Sequence, residues 1–109
     1  MNEKYYVVIT TVDDEEIALK LTNLLLHKRL VACVNIISNV TSKYWWKGQI
    51  EESKEFMLIM KTREELVEKV KHEILVNHPY EVAEVMAFEA KDISLHYASW
   101  IDKETNKVL

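Results

Sequence analysis

The longest strand-forming segment of the chain restricts its fold more than any other feature. Residues 31–47 are rich in β-branched and aromatic side chains, and they run without a proline up to Gly48, the chain's single glycine. A single strand of about 17 residues would span roughly 55 Å, because each residue adds a rise of ~3.3 Å. A compact domain of this length has a diameter of roughly 34 Å. The segment must therefore bend, break or project from the domain as a hairpin arm.

The first half of the chain alternates between strand and helix patterns. Tyr5 to Thr11 is β-branched and aromatic throughout, which predicts a strand. Asp13 is the predicted N-cap of a helix that ends near residues 27–29, where cations suit the C-terminal end of the dipole. Strand character then returns over residues 30–46, and the chain turns at residues 47–49 because Gly48 can take positive φ.

The second half repeats this alternation. Glu55 to Lys61 is the returning strand, and Thr62 with Glu65 forms a capping box that opens a second helix. Pro79 ends that helix, and Glu81 to Ala90 is predicted as the last main strand. A short terminal helix contains Leu95, Tyr97 and Trp100. The resulting order, β-α-β-β-α-β-α, predicts an α+β fold of the ferredoxin-like split type with one added helix, as a single domain over residues 1–109.

Composition excludes several function classes. The net charge of -4 argues against a nucleic-acid groove, and one cysteine cannot form an intrachain disulfide. A single glycine is too few for a phosphate-binding loop or a dinucleotide fingerprint. The apolar runs are far shorter than the roughly 18 residues that span a membrane, so no membrane partner is expected. No targeting signal is visible at the start of the chain, so we expect a cytoplasmic protein.

The predicted strands are apolar on both faces. In the first strand Val7 and Ile9 lie on one face and Val8 on the other, and in the third strand Leu58 opposes Ile59. The two long helices of this architecture cover one face of the sheet only. Because a monomer rarely exposes so much apolar surface, the pattern predicts a closed homo-oligomer.

Several short motifs, in order along nearly the whole chain, resemble those of the CutA, or divalent-cation-tolerance, family. The matching segments are Leu30–Asn35, Ser42–Gly48, Glu55 with Lys61–Thr62, His78–Glu81, and Tyr97 with Trp100. One departure is Ala83, which stands where the family pattern has a second proline, whereas Glu84 is kept. The resemblance implies a tight homotrimer, similar in architecture to the PII signalling proteins, with a role in tolerance of copper and other divalent cations.

Four residues are candidate metal ligands. Cys33 is the single thiol and could bind a soft ion such as Cu(I), although free cysteine in a strand is commonly a small buried hydrophobe. His78, Glu81 and Glu84 could supply imidazole and carboxylate to a borderline cation. Their alternative role is that of a hydrogen-bonded helix terminus with solvated charges.

A second group of residues is assigned to a cleft or a subunit interface. These residues are Tyr44, Trp46, Lys61, Tyr80, Tyr97 and Trp100. Aromatic side chains supply large buried area in assembly cores, so interface packing is the favoured role over a ligand platform. Met57, Met60 and Met86 fall in strand patterns and are interpreted as core.

Two functions from different classes follow. The leading hypothesis is a non-enzymatic homotrimer that binds copper or another divalent cation weakly or transiently, with no obligatory cofactor. The alternative is a PII-like signalling or scaffold trimer that holds a small anionic ligand or a partner protein in its inter-subunit clefts, with Lys61, His78 and Tyr80 as contacts. The spacing of these residue types indicates no Ser-His-Asp or Cys-His pairing, so we do not expect an enzyme.

Overall fold

A computed structural model describes residues 3–106 and confirms the predicted α+β order. The described elements are β1 (Tyr5–Val12), α1 (Glu15–His27), β2 (Cys33–Trp46), β3 (Gln49–Arg63), α2 (Val67–Asn77), β4 (Met86–Glu89) and α3 (Leu95–Glu104). The four strands form one antiparallel sheet in the order β2-β3-β1-β4. This order is that of the ferredoxin-like split β-α-β unit.

The first helix begins one residue later than predicted. Asp14, not Asp13, is the N-cap, and its Oδ1 accepts a hydrogen bond of 3.2 Å from the backbone N–H of Ile17. A cap carboxylate satisfies one of the orphan donors at the start of a helix. Asp13 lies outside the helix with its side chain exposed.

The predicted capping box at Thr62 is wrong. Thr62 belongs to β3, which runs to Arg63 because the ladder with β1 extends as far as the pair Tyr5–Arg63. A short 3₁₀ turn over residues 64–66 then leads into α2. The Thr62 hydroxyl donates instead to the carbonyl of Leu30 at 2.6 Å, which ties β3 to the segment before β2.

The last strand is much shorter than the predicted Glu81 to Ala90. Only Met86–Glu89 pairs with β1, and residues 78–85 form a loop. His78 explains the difference, since its Nε2 lies 2.7 Å from the Thr11 carbonyl at the end of β1. The His78 side chain therefore occupies the Thr11 carbonyl with which a longer β4 would have paired.

The β2–β3 hairpin projects from the domain, which is one of the three outcomes that its length allowed. Beyond Phe56, β3 has no pair on β1, and residues 40–55, here called the arm, pair only with one another. The arm begins at a break in register between Ile37 and Val40, where Asn39 takes φ 61°. Asparagine tolerates this left-handed conformation better than most residues. The molecule measures 48 × 26 × 22 Å, so the arm sets its long axis.

The two faces of the sheet are buried to different extents. Helices α1 and α2 cover one face, where Val8, Leu58 and Met60 are fully buried. On the other face α3 covers one end, packing Ala98 and Ile101 against Tyr5. The remainder, here called the open face, carries apolar side chains that are half-buried or exposed: Val7, Ile9, Ile37, Met57, Ile59, Met86 and Phe88.

The described helices are too short or too polar for a bilayer. Within residues 3–106, none combines the length and apolarity that a membrane span needs.

Candidate functional site

A groove between the arm and the 78–85 loop contains several of the predicted site residues. This arm groove encloses about 850 Å³, within the usual size of small-molecule pockets. Tyr44 and Trp46 line it from the arm, and Tyr80, Glu81 and Glu84 line it from the loop. Five of the sequence-predicted site residues therefore share one cavity.

Tyr80 links Glu55 of the arm groove to His78 outside the groove lining. The Tyr80 hydroxyl donates to Glu55 Oε2 at 2.6 Å, and the His78 ring lies edge-on to the Tyr80 ring with centroids 4.6 Å apart. The pKa of Tyr80 is raised far above its ordinary value, chiefly because the hydroxyl is buried and next because it donates to the negatively charged Glu55. Tyr80 therefore remains a hydrogen-bond donor at neutral pH.

His78 uses both ring nitrogens within the protein. Its Nδ1 accepts a hydrogen bond of 3.2 Å from the Tyr80 backbone N–H, and its Nε2 lies 2.7 Å from the Thr11 carbonyl oxygen. Because a carbonyl only accepts, Nε2 must carry the proton, which assigns the tautomer of the neutral ring. With both nitrogens engaged, His78 is positioned as an anchor for the loop, and it must break one of these bonds to ligate a metal.

The charge around the arm groove is acidic. Four carboxylates line it, those of Asp13, Glu55, Glu81 and Glu84, against the single ammonium of Lys43. Glu81 and Glu84 lie exposed in the loop rather than on the predicted strand. This lining attracts cations and disfavours anions.

The aromatic candidates divide between two places. Tyr44 and Trp46 lie on the arm, 43% and 37% exposed. Tyr97 and Trp100 lie on α3, where their rings stack with centroids 5.5 Å apart. The pKa of Tyr97 is raised, chiefly because its hydroxyl is buried and next because of the charge and hydrogen bonding of the neighbouring Cys33 sulfur.

Cys33 belongs to a second cluster at the start of β2. It is half-buried on the side of the sheet that carries the open face, and it pairs in register with Lys61. The Lys61 ammonium lies 3.8 Å from the Cys33 sulfur and also donates to the side-chain carbonyl of Asn35. Lys61 is therefore placed beside the thiol, not in the arm groove.

The two clusters lie apart within the chain. Cys33 pairs with Lys61, which pairs with Val7, whereas His78 bonds to Thr11, four residues farther along β1. Four strand residues span ~13 Å. Glu81 and Glu84 thus share the arm groove with Tyr80, whereas neither His78 nor Cys33 is among the residues that line it.

A permanently held metal does not fit the donor geometry of the described residues. Within residues 3–106, no three His, Cys, Asp or Glu side chains converge as a metal centre requires. Structural metal sites in proteins use four or more donors. The described donors are therefore not arranged as a structural metal site.

Sequence reasoning named three contributors to the arm groove for other reasons and did not assign them to a site. Glu55, Asp13 and Trp45 all line it. Glu55 is the most informative of them, because it is only 6% exposed, which is rare for a carboxylate. Its partner Tyr80 lies 25 positions away, and no periodicity in the sequence predicts that contact.

A family model and individual relatives match the same long stretch of this chain. The family model described as CutA1 divalent ion tolerance protein matches residues 6–104. A divalent-cation tolerance protein CutA from Pyrococcus horikoshii is 42% identical over 101 residues, which are 93% of this chain and 98% of that relative. Protein CutA of Homo sapiens is 39% identical over 98 residues, which are 90% of this chain but 55% of that relative.

Solved structures with the same fold carry the same family name. CutA1 of Ehrlichia chaffeensis superposes with a TM-score of 0.92 at 29% identity, covering 98% of this chain and 100% of that one. CutA1 of Pyrococcus horikoshii gives a TM-score of 0.89 at 40% identity, covering 94% and 99%. A CutA of Archaeoglobus fulgidus, described as periplasmic, gives 0.88 at 33% identity, covering 92% and 97%.

The family match and the identity over most of the chain agree with the motifs and with the strand order. The chain belongs to the CutA1 family of divalent ion tolerance proteins.

Proposed function

We propose that this protein is a non-enzymatic homotrimer that contributes to the tolerance of divalent cations, copper foremost, by binding metal ions weakly or transiently. The observation that carries the proposal is family membership, with the relative from Pyrococcus horikoshii named a divalent-cation tolerance protein. The acidic lining of the arm groove adds a physical reason to expect cations there.

The open face supports assembly. Ile37, Met86 and Phe88 are 44%, 50% and 45% exposed on one side of the sheet, next to half-buried Ile9 and Ile59. A contiguous apolar surface of this kind is typical of a subunit interface. The number three is the number that the family resemblance implies.

Weak metal binding agrees with the donor arrangement. The thiol of Cys33 lies beside an ammonium, which disfavours an additional cation there unless Lys61 moves. Glu81 and Glu84 are free of salt bridges to described residues, so they can coordinate a cation with water completing its shell. Threefold assembly would multiply such partial sites.

Calorimetric titration tests the metal-binding part. Cu(I), Cu(II) and Zn(II) are titrated into the trimer and into the Cys33→Ala and His78→Ala variants, with Glu16→Gln on α1 as the control. We expect at least one ion to bind more tightly than millimolar, with a loss in Cys33→Ala or His78→Ala and none in the control. Affinity no tighter than millimolar for every ion, or affinity unchanged in both variants, would contradict the proposal.

The alternative of an anionic ligand is less favoured by the charge distribution. Lys61, one of its three expected contacts, lies with Cys33 rather than in the arm groove, whose lining carries four carboxylates and one ammonium. A thermal-shift screen with nucleotides and organic acids distinguishes the two functions. A clear shift with any anion would favour the signalling role.

The cytoplasmic location stays a prediction. Relatives differ in their named compartments, since one from Oryza sativa is called chloroplastic and the Archaeoglobus fulgidus protein is described as periplasmic. Cell fractionation with an antibody to the protein tests this prediction directly.

A further inference from the structure

We propose that the arm is hinged where it leaves the sheet, and that the hydrogen bond between Tyr80 and Glu55 fixes its direction. Tyr80 is then a positioning residue for the arm, and the 78–85 loop acts on the arm through it. The proposal concerns the motion of the arm within one chain, so it depends on neither metal binding nor the number of subunits.

A break in β2 provides the hinge. Between the pairs Ile37–Met57 and Val40–Glu55, two residues of β2 stand opposite one residue of β3. Asn39, one of these two residues, takes φ 61°. A bulge of this kind bends its strand and disrupts the ladder of hydrogen bonds, and a few such residues can absorb the dihedral changes of a hinge. The arm can therefore rotate about this point without losing the pairing of its own strands.

One polar side-chain contact joins the arm to the rest of the described chain. The Tyr80 hydroxyl donates to Glu55 Oε2 at 2.6 Å, from the 78–85 loop to the last residue of the arm. Within residues 3–106, the other hydrogen bonds and ion pairs of the arm side chains stay inside the arm, and they join Lys54 to Thr41 and Lys43 to Glu52. The direction of the arm therefore depends on the Tyr80–Glu55 bond more than on any other polar side-chain contact.

The hydrogen bond to Glu55 lies at the hinge itself. Glu55 pairs with Val40, the first paired residue of β2 after the break, and the next residue, Phe56, already pairs with β1. The end of β2 at Trp46 lies ~20 Å farther along the arm, so a rotation of about 10° at the hinge moves it by roughly 3–4 Å. Tyr44 and Trp46 lie on this arm, so in the proposed homotrimer, on which this consequence rests, its direction decides where they meet a neighbouring subunit.

The burial of Glu55 makes this bond energetically important. Glu55 is only 6% exposed, and a buried carboxylate that lacks a hydrogen-bond donor is costly. If the Tyr80 hydroxyl is removed, the carboxylate gains free energy by reaching water, and rotation of the arm about the hinge brings it there. If the carboxylate is removed as well, that driving force disappears.

Amide hydrogen exchange of the full chain tests the proposal. In Tyr80→Phe we expect exchange in the arm to accelerate at least about tenfold, with less than about a twofold change in β1. The matched control Tyr6→Phe removes a phenol hydroxyl from β1, outside the arm, and we expect it to change exchange in the arm by less than about twofold. Unchanged exchange in the arm of Tyr80→Phe, or an equal acceleration in the arm and in β1, would overturn the proposal.

A second variant separates the hydrogen bond from the packing of the tyrosine ring. Tyr80→Phe/Glu55→Leu removes both partners, so no carboxylate is left to draw the arm toward water. We expect exchange in the arm of this double variant to return to within about threefold of the wild type, because replacing both partners by apolar groups leaves no unsatisfied group. Exchange as fast as in Tyr80→Phe, or faster, would assign the effect to packing and would overturn the positioning role of the bond.

Discussion

Two buried threonines of the sheet test what a single hydroxyl contributes. Thr62 and Thr10 are both fully buried on strands, but only Thr62 has a hydrogen-bond partner among the described residues, the carbonyl of Leu30. We expect Thr62→Val to lower the free energy of unfolding by about 1–3 kcal/mol, because the carbonyl loses its donor. Thr10→Val should leave that free energy unchanged or raise it, because no bond is lost. Equal losses in urea denaturation at one protein concentration would contradict this.

The alkaline pH dependence of stability should depend in part on Tyr5. Burial first, and then its hydrogen bond of 2.8 Å to Asp102, raise the pKa of Tyr5 from 10.0 to about 12. In the unfolded chain the phenol ionises near its ordinary value, so the stabilisation is complete below about pH 10 and is lost between about pH 10 and 12.

In Tyr5→Phe this loss should be shallower, although Tyr80, whose pKa is also raised, still contributes in the same direction. Thermal unfolding measured at intervals across that pH window checks the slope. Tyr44→Phe, which changes an exposed tyrosine of the arm, is the control. A slope in Tyr5→Phe equal to that of the wild type would contradict the assignment.

At the scale of elements, the turn of the arm is the place where one residue controls a whole hairpin. Lys47 and Gly48 take φ of 50° and 80°, and a Cβ on Gly48 would meet no atom within 4 Å. The cost of Gly48→Ala is therefore one of backbone conformation, roughly 1–2 kcal/mol. Amide hydrogen exchange of the arm should accelerate about fivefold or more.

A substitution at Lys47 should stabilise the turn that Gly48→Ala destabilises. Lys47→Asn would create Asn-Gly, the pair preferred in two-residue hairpin turns because both residues accept positive φ. We expect slower amide exchange in the arm of this variant than in the wild type. Faster exchange in Lys47→Asn would show that the Lys47–Trp46 contact outweighs the gain in turn geometry.

Sequence patterns predicted the elements well where local chemistry decides them. The order of strands and helices and the turn at Gly48 follow from side-chain type, whereas segment length left a bend, a break and projection of the arm all open. The patterns failed where a distant partner decides. Thr62 resembles a cap but is held in β3 by its pairing with β1, and the start of β4 depends on the bond between His78 and Thr11.

The candidate site could be predicted only in part for the same reason. The motif residues Tyr44, Trp46, Tyr80, Glu81 and Glu84 do share one groove. The hydrogen bond between two of its lining residues, Tyr80 and Glu55, however, joins positions 25 residues apart, and spacing along the chain does not predict that contact. The separation of the thiol from the histidine depends likewise on sheet register, which exists only in the folded chain.

At the scale of the whole molecule, the open face carries the prediction of assembly. Ile59 is half-buried near its centre, on the central strand β3 between β2 and β1. In the proposed trimer Ile59→Lys would place an ammonium in the apolar interface, where a buried charge without a partner costs several kcal/mol. We expect this variant to dissociate to monomers at micromolar concentration in light scattering, whereas Leu75→Lys, on the exposed side of α2, should remain a trimer. Circular dichroism shows whether the Ile59→Lys monomer retains its fold. A monomeric wild type, or a trimeric Ile59→Lys, would mean that the open face is not the surface through which the subunits meet.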